Sequence, residues 1–429
     1  MYSSSVYLPT NFLQIPPQSQ EDAKYSFDKI ERSADLIIQP KILNPENTGT
    51  YSTAGNKISR FELPTSGCYN FQEAVLYISL RINNTPALVA PFKALPNGVW
   101  NIFSRVRHLN GTQVVEDRDD CNVISNFWWM TQQDPTFTES AGIDLFGFGT
   151  QAERNARGLV DTRYSVPYPL NFLTATPMVP LEKWEKQYIE FYLAEPNTYL
   201  ETNGTNNVVE VFQVEWHINQ VISPSKTQEL YDAVDQGKYS VAFDGWQLFQ
   251  NTPLTINNNL VISQRSHSFR GVFTTFFQGN DTNNTNPGYD KLWTYPKLGC
   301  NNFQFRILGD LYPELPVDCT GLAFRDYIEY LKWIECYKAN GIAKYVPNIG
   351  IDDFNTSNFI IVGNFLNDNA LVGKPCVLSN VSTAKMSQDL QLNVRFDVSP
   401  PAGYVSRHYI FFSYVVTCPP KGRPFSIQF

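Results

Sequence analysis

The chain has 429 residues, of which 42% are hydrophobic, 14% aromatic and only 17% charged, and its formal net charge is −8. That is length for two domains with real cores, and it is too apolar for a disordered chain. The acidic balance, with no basic cluster beyond Lys421-Gly-Arg423, excludes a surface built to neutralise phosphates, so no direct sequence-specific nucleic-acid binding is expected.

Residues 1–40 carry Pro16-Pro17 and Ser/Gln-rich spacing with little periodicity, and residues 44–57 read as loop. Met1-Tyr-Ser-Ser-Ser lacks the basic and apolar regions of a signal peptide, so folding inside the cell is expected. No apolar run approaches the roughly 20 residues that span a bilayer. Phe61 and Leu63 then alternate with Arg60 and Glu62, and Leu76, Ile78, Leu80 and Ile82 alternate with polar neighbours, the mark of strands with one buried face. Asn110-Gly111 predicts a tight hairpin between two strands in Val99–Val115, because both residues tolerate positive φ. Asp119–Gln132 reads as a short helix with Val123, Phe127 and Met130 on its apolar face. Gly142–Gly158 reads as a mobile, Gly-rich loop.

A hairpin closes this first half. Ile189, Phe191 and Leu193 form one arm, and Phe212, Val214, Trp216 and Ile218 the other, across a polar turn at Glu195–Asn207. Thr227–Asp235 reads as a linking helix. Strands are then predicted at Tyr239–Phe243, Leu260–Ser263, Ser268–Phe277 and Phe303–Ile307, the last ended by Tyr312-Pro313, with a long exposed loop at Gly279–Gly288. Leu322–Lys338 is the strong helix: Phe324, Tyr327, Ile328, Leu331 and Ile334 form its expected buried stripe, Asp326 faces water, and Asn340-Gly341 caps it. Phe359–Val362 opens the last strands, and Leu390–Val398, a turn at Ser399–Gly403 and His408–Thr417 make the final hairpin. In both halves an aromatic segment, Trp128-Trp129 or Trp333, lies about 60 residues before the closing hairpin, so one domain type is used twice. Short strands with long connections and no βαβ rhythm indicate Greek-key sandwiches.

Chemistry-bearing patterns are sparse. Cysteines stand at 68, 121, 300, 319, 336, 376 and 418, an odd number without ribbon or redox-pair spacing, and buried reduced thiols are expected. His108, His217, His267 and His408 are scattered and form no metal motif. Asp119-Asp120 and Asp352-Asp353 read as caps and turn formers rather than calcium ligands. There is no nucleophile elbow or phosphate loop, and Gly147-Phe-Gly149 is too sparse to count as one. Trp128-Trp129 reads as helix packing in preference to a sugar platform. The Asn-x-Ser/Thr triplets, beginning with Asn83 and Asn110, are read as chance in an Asn-rich chain. No catalytic, cofactor-binding or metal-ligating residue is assigned, and no enzymatic activity is expected.

Four stretches carry a resemblance. Lys57-Ile-Ser-Arg-Phe-Glu-Leu-Pro-Thr-Ser-Gly67 with Ala74-Val-Leu-Tyr-Ile-Ser-Leu-Arg81 looks like an opening strand pair, and Asn101-Ile-Phe-Ser-Arg-Val-Arg-His-Leu-Asn-Gly111 like the pair that follows. Tyr239-Ser-Val-Ala-Phe-Asp244 with Ser266-His-Ser-Phe-Arg-Gly-Val-Phe273 looks like entry to a second unit, and Leu308-Gly-Asp-Leu-Tyr-Pro313 like a segment ahead of a helix. Their order resembles the double jelly-roll major capsid proteins of adenovirus, tailless membrane phages, virophages and polinton-like viruses. The resemblance implies an all-β fold with a few inserted helices, two tandem eight-stranded jelly rolls. It implies an arm and lead-in at 1–56, a first roll at 57–226, a linking helix at 227–237, a second roll at 238–418 and a tail at 419–429. It further implies a homotrimeric, pseudo-hexameric capsomer in an icosahedral DNA virus shell. Neighbouring capsomers, minor capsid or penton proteins and an internal membrane are the implied partners, and Gly142–Gly158 and Gly279–Gly288 the implied outward or intersubunit loops. The alternative is a β-sandwich that binds or cleaves carbohydrate.

Overall fold

The computed structural model describes residues 36–428 apart from 48, 86–92, 96–97, 125–135, 137–139, 148, 168–170, 203–204, 252–254, 264–268, 279–294, 308, 321–323, 340–348, 357 and 366–389. The arm up to residue 35, Trp128-Trp129, the loop at 279–288 and the cap at Asn340-Gly341 lie outside the described residues.

The first half contains β1 (Ile37–Leu43), β2 (Ile58–Glu62), β3 (Cys68–Thr85), β4 (Lys93–Ala94), β5 (Phe103–Asn110), β6 (Gln113–Asp119), α1 (Ala141–Phe146), α2 (Gln151–Gly158), β7 (Thr162–Pro167), β8 (Gln187–Leu193), α3 (Pro196–Tyr199), β9 (Glu201–Thr202) and β10 (Thr205–Ile222). After the linking helix α4 (Pro224–Asp235) come β11 (Ser240–Asn251), β12 (Asn257–Ile262), β13 (Phe269–Gln278), β14 (Cys300–Ile307), β15 (Asp310–Asp318), α5 (Arg325–Ala339), α6 (Ile351–Thr356), β16 (Ile361–Asn364), β17 (Leu390–Phe396), β18 (Tyr404–Thr417) and β19 (Ser426–Gln428).

Four sheets carry the fold. Their orders are β1-β10-β3-β7 and β2-β8-β5-β6 in the first half, and β11-β18-β13-β16 and β12-β17-β14-β15 in the second. Set aside the short β4–β9 pair, and the two halves share one connectivity. In each, the first, eighth, third and sixth strands make one sheet, and the second, seventh, fourth and fifth make the other. This is the antiparallel, twice-folded Greek key of an eight-stranded jelly roll, and it occurs twice. The alternating strands supply the cores: Phe61 and Phe71 close on Trp216 with centroids 5.6 and 5.7 Å apart, and Phe273 packs against Trp333 and Tyr409, each at 5.8 Å. Rings this size account for much of the apolar area each roll removes from water.

Five expectations change. The two closing hairpins are not paired: β8 lies between β2 and β5 while β10 lies between β1 and β3, and β17 and β18 likewise fall in different sheets, because in a jelly roll the chain crosses from one sheet to the other between these strands. Residues 37–43 were expected in the lead-in, but they form β1 and pair with β10 from Ile37↔Ile222 to Leu43↔Trp216. Gly142–Gly158 is not a loop through its length, because it contains α1 and α2. Gly147, at φ +77°, ends α1 in the left-handed conformation that glycine adopts freely. Thr150 and Glu153 then cap α2 reciprocally, the Thr150 amide donating to the Glu153 carboxylate at 2.8 Å. Pro313 does not end its segment. It sits inside β15, an edge strand, where its missing N–H leaves no ladder bond broken. Finally, α5 is rotated from its expected face. Ile334 is buried and Tyr327 and Leu331 pack against the core as expected, but Tyr330 and Trp333 are buried beside them, whereas Phe324 and Ile328 are 42% and 43% exposed. Asp326 turns inward because Lys297 holds it at 2.7 Å.

Candidate functional site

No residue was assigned a catalytic or ligand-binding role from sequence, and the structure disperses the candidates that were weighed. His108 on β5 and His408 on β18 are buried in separate rolls. His108 Nε2 meets Gln187 Oε1 at 2.8 Å, and His408 Nδ1 meets Thr274 Oγ1 at the same distance. Burial holds their pKa values down, to about 4 and about 3. His217 is half-buried against Tyr77, and His267 lies outside the described residues. Asp352 and Asp353 stand in the first turn of α6, where a helix favours negative charge. Among the described residues, no three His, Cys, Asp or Glu side chains gather as a metal-holding group.

What the fold does assemble is a polar lock between the rolls. β6, an edge strand of the first roll, meets β11 and β18 of the second. Asn110-Gly111 turns β5 into β6, and from there alternation sends Glu116 and Arg118 inward. Both side chains are fully buried, with Arg118 Nη2 2.6 Å from Glu116 Oε1. Arg118 Nη1 donates to the Trp246 carbonyl at 2.8 Å and to the Tyr414 hydroxyl at 3.0 Å, and the guanidinium lies over both rings. Glu116 also accepts from the backbone amides of Asn171, at 3.1 Å, and Phe172, at 2.9 Å. Burial opposes the charge on Arg118, but Tyr414 and Glu116 together keep its pKa above the ordinary value. The backbone must come close for this to work: a Cβ on Gly245 would lie 1.8 Å from Arg118 Nη2.

Two further contacts flank the lock. Asp120, at φ +52°, accepts from Arg407 Nη1 at 2.9 Å and from the Tyr409 hydroxyl at 3.0 Å, both on β18. On the other side, Phe172 and Trp184 of the first roll receive Phe425 of the tail, and Gln113 exchanges two 2.8 Å bonds with the Phe425 backbone. Lys421 and Arg423 remain exposed, as expected, while β19 beside them extends the second roll by pairing with β18. Sequence reading missed this lock. Its one local signal was a Glu and an Arg at inward positions of a strand, which a sequence shows as an ordinary polar alternation.

No protein-family model matches the chain, and no characterised protein matches it by sequence. Solved structures do. A chain of the PBCV-1 virus capsid superposes with TM-score 0.59 at 11% identity, covering 92% of this chain and 97% of that one. The chain is a double jelly roll. The Faustovirus major capsid protein matches this double jelly roll with TM-score 0.55 at 9% identity, over 89% of this chain and 90% of that one. A chain of the Sputnik virophage matches with TM-score 0.52 at 9% identity, over 92% and 88%. These likenesses establish the fold over nearly the full length of each partner.

Proposed function

We propose that this double jelly roll is a major capsid protein, a structural and not a catalytic chain, forming trimeric capsomers of an icosahedral DNA virus shell. The observation that carries the reading is the lock. Two rolls of one topology are fixed to each other through a buried ion pair, two aromatic faces and a strapped tail. Three such chains around a threefold axis present six similar units, a pseudo-hexamer that tiles a shell. The full-length match to chains of viral capsids supports the same reading. Its partners are two further copies, neighbouring capsomers, minor capsid or penton proteins and an internal membrane, and its location is the virion. The net charge of −8 supports leaving genome contact to other molecules. No observation among the described residues favours the carbohydrate-binding alternative.

Light scattering on the purified protein tests this. A species of three times 48.9 kDa that persists on dilution is expected. A monomer at all concentrations overturns the capsomer.

A further inference from the structure

Cys300 and Cys319 stand far apart in the hairpin formed by β14 and β15, and a break in register brings them together. Cys300 lies opposite Phe396 on β17, but Asn302 lies opposite Arg395, so Asn301 is an extra residue on β14. Such a bulge re-aims the side chains beside it. Directly across, the Cys319 amide donates to the Asn301 carbonyl at 2.8 Å. Regular pairing would put neighbours of this kind on opposite faces of the sheet. With the bulge, both thiols point inward, and their sulfurs are 3.9 Å apart. Both residues are buried and neither is in a disulfide.

A disulfide needs sulfurs about 2.05 Å apart, so about 2 Å of approach remains, within reach of small rotations of two side chains. β15 pairs on one side only and exposes most of its residues, so it is an edge from which the sheet can open locally. While it is closed, the Cys300 thiol and burial both hold the Cys319 thiol in its protonated, unreactive form.

We propose that Cys300 and Cys319 are a latent redox pair, reduced where the chain folds and closing into a reversible disulfide under an oxidising thiol poise. The oxidant is a small-molecule disulfide of the glutathione class. On local opening, one cysteine thiolate attacks it, forming a mixed disulfide and releasing one glutathione thiolate. The second cysteine loses its proton and attacks the protein sulfur of that mixed disulfide, releasing the other. Two protein thiols are oxidised to one S–S bond, and one oxidised glutathione becomes two reduced molecules. The bond staples the edge strand β15 to β14 at the end of their hairpin. The proposal does not depend on the shell reading.

The test uses the full-length protein in glutathione buffers from fully reduced to fully oxidised. Samples are acid-quenched, denatured, alkylated and digested without reduction. The expected product is a peptide pair joining Cys300 to Cys319, about 2 Da lighter than its two parts and cleaved by dithiothreitol. Its yield rises with the oxidised fraction, while Cys68, Cys121 and Cys418 are recovered alkylated. C300S and C319S each abolish it; should either fail to fold, the wild-type peptide map decides alone. Alkylation of both Cys300 and Cys319 across the whole redox range, or pairing of either with a different cysteine, overturns the proposal.

Discussion

Arg118 is a fully buried cation, and its neighbours must replace the hydration it would have in bulk water. They do so with one carboxylate, one carbonyl, one hydroxyl and two ring faces. A buried pair of this kind is weak evidence for net stability, since desolvating two charges cancels much of their attraction. Breaking one half is a different matter. Arg118→Met leaves Glu116 buried with only two backbone donors, and about 3–5 kcal/mol of stability should be lost in urea titrations. The double change E116Q/R118M should recover part of that, because the unpaired buried charge is gone and the one amide oxygen still accepts from one of the two backbone amides of Asn171 and Phe172. A loss below about 0.5 kcal/mol in Arg118→Met, the level of an ordinary surface change, would remove the lock from this account.

The histidines make a second residue-scale case. His108 has its pKa lowered from 6.5 to about 4 by burial, against the opposing bond from Gln187. Above pH 6.5 the imidazole is neutral in both folded and unfolded chains and has no effect. Between pH 6.5 and 4 the unfolded chain binds a proton that the folded chain refuses, so stability falls as pH falls, by roughly 3 kcal/mol at pH 4. His408 adds a loss of the same sign over a window reaching about pH 3. Thermal melts from pH 7 to 4 should therefore steepen below pH 6.5, and His108→Gln should flatten the profile. An H108Q profile as steep as the wild type's refutes the assignment.

At the scale of elements, α5 separates composition from position. Its apolar residues suggest a stripe through Phe324 and Ile328, but the helix buries its largest rings, Tyr330 and Trp333, against Phe354 and Phe273. The Lys297–Asp326 pair, with Lys297 also donating to Asn355 at 2.7 Å, pins the rotation. Trp333→Ala should cost about 3–5 kcal/mol through the void it leaves. Ile328→Ser, on the exposed side, should stay within about 0.5 kcal/mol. Equal losses in denaturant midpoint for the two variants would show that the helix faces the other way.

For the whole molecule, the question is how two sandwiches become one rigid unit. Glu116 and Arg118 act at the centre of the contact, Asp120 with Arg407 and Tyr409 at one flank, and Phe425 between Phe172 and Trp184 at the other. A unit joined only by α4 would leave the rolls free to pivot, and these contacts oppose that. The capsomer mass expected above belongs to this scale: obligate assemblies bury large surfaces and resist dilution, whereas an isolated pair of rolls does not need a partner.

Strand identity was readable from sequence alone, because alternation is local: one buried face and one outer face leave a period of two in the chain itself. Leu390 to Val398, Ile189 to Leu193 and Phe303 to Ile307 therefore emerge as β17, β8 and β14, although β17 stops at Phe396 with Val398 exposed, and β8 and β14 begin earlier, at Gln187 and Cys300. The Asn110-Gly111 turn was equally local, and the two-roll organisation followed from counting such elements. Tertiary structure alone decided the rest. Ile37 to Leu43 became a strand because β10 offered an edge, α5 turned on Lys297, and Glu116 and Arg118 became a lock because the second roll covers them. Each of these depends on groups distant in sequence. Burial, ion pairing and bulge-shifted contacts such as that of Cys300 with Cys319 arise only when the chain folds back on itself, and no local period records them.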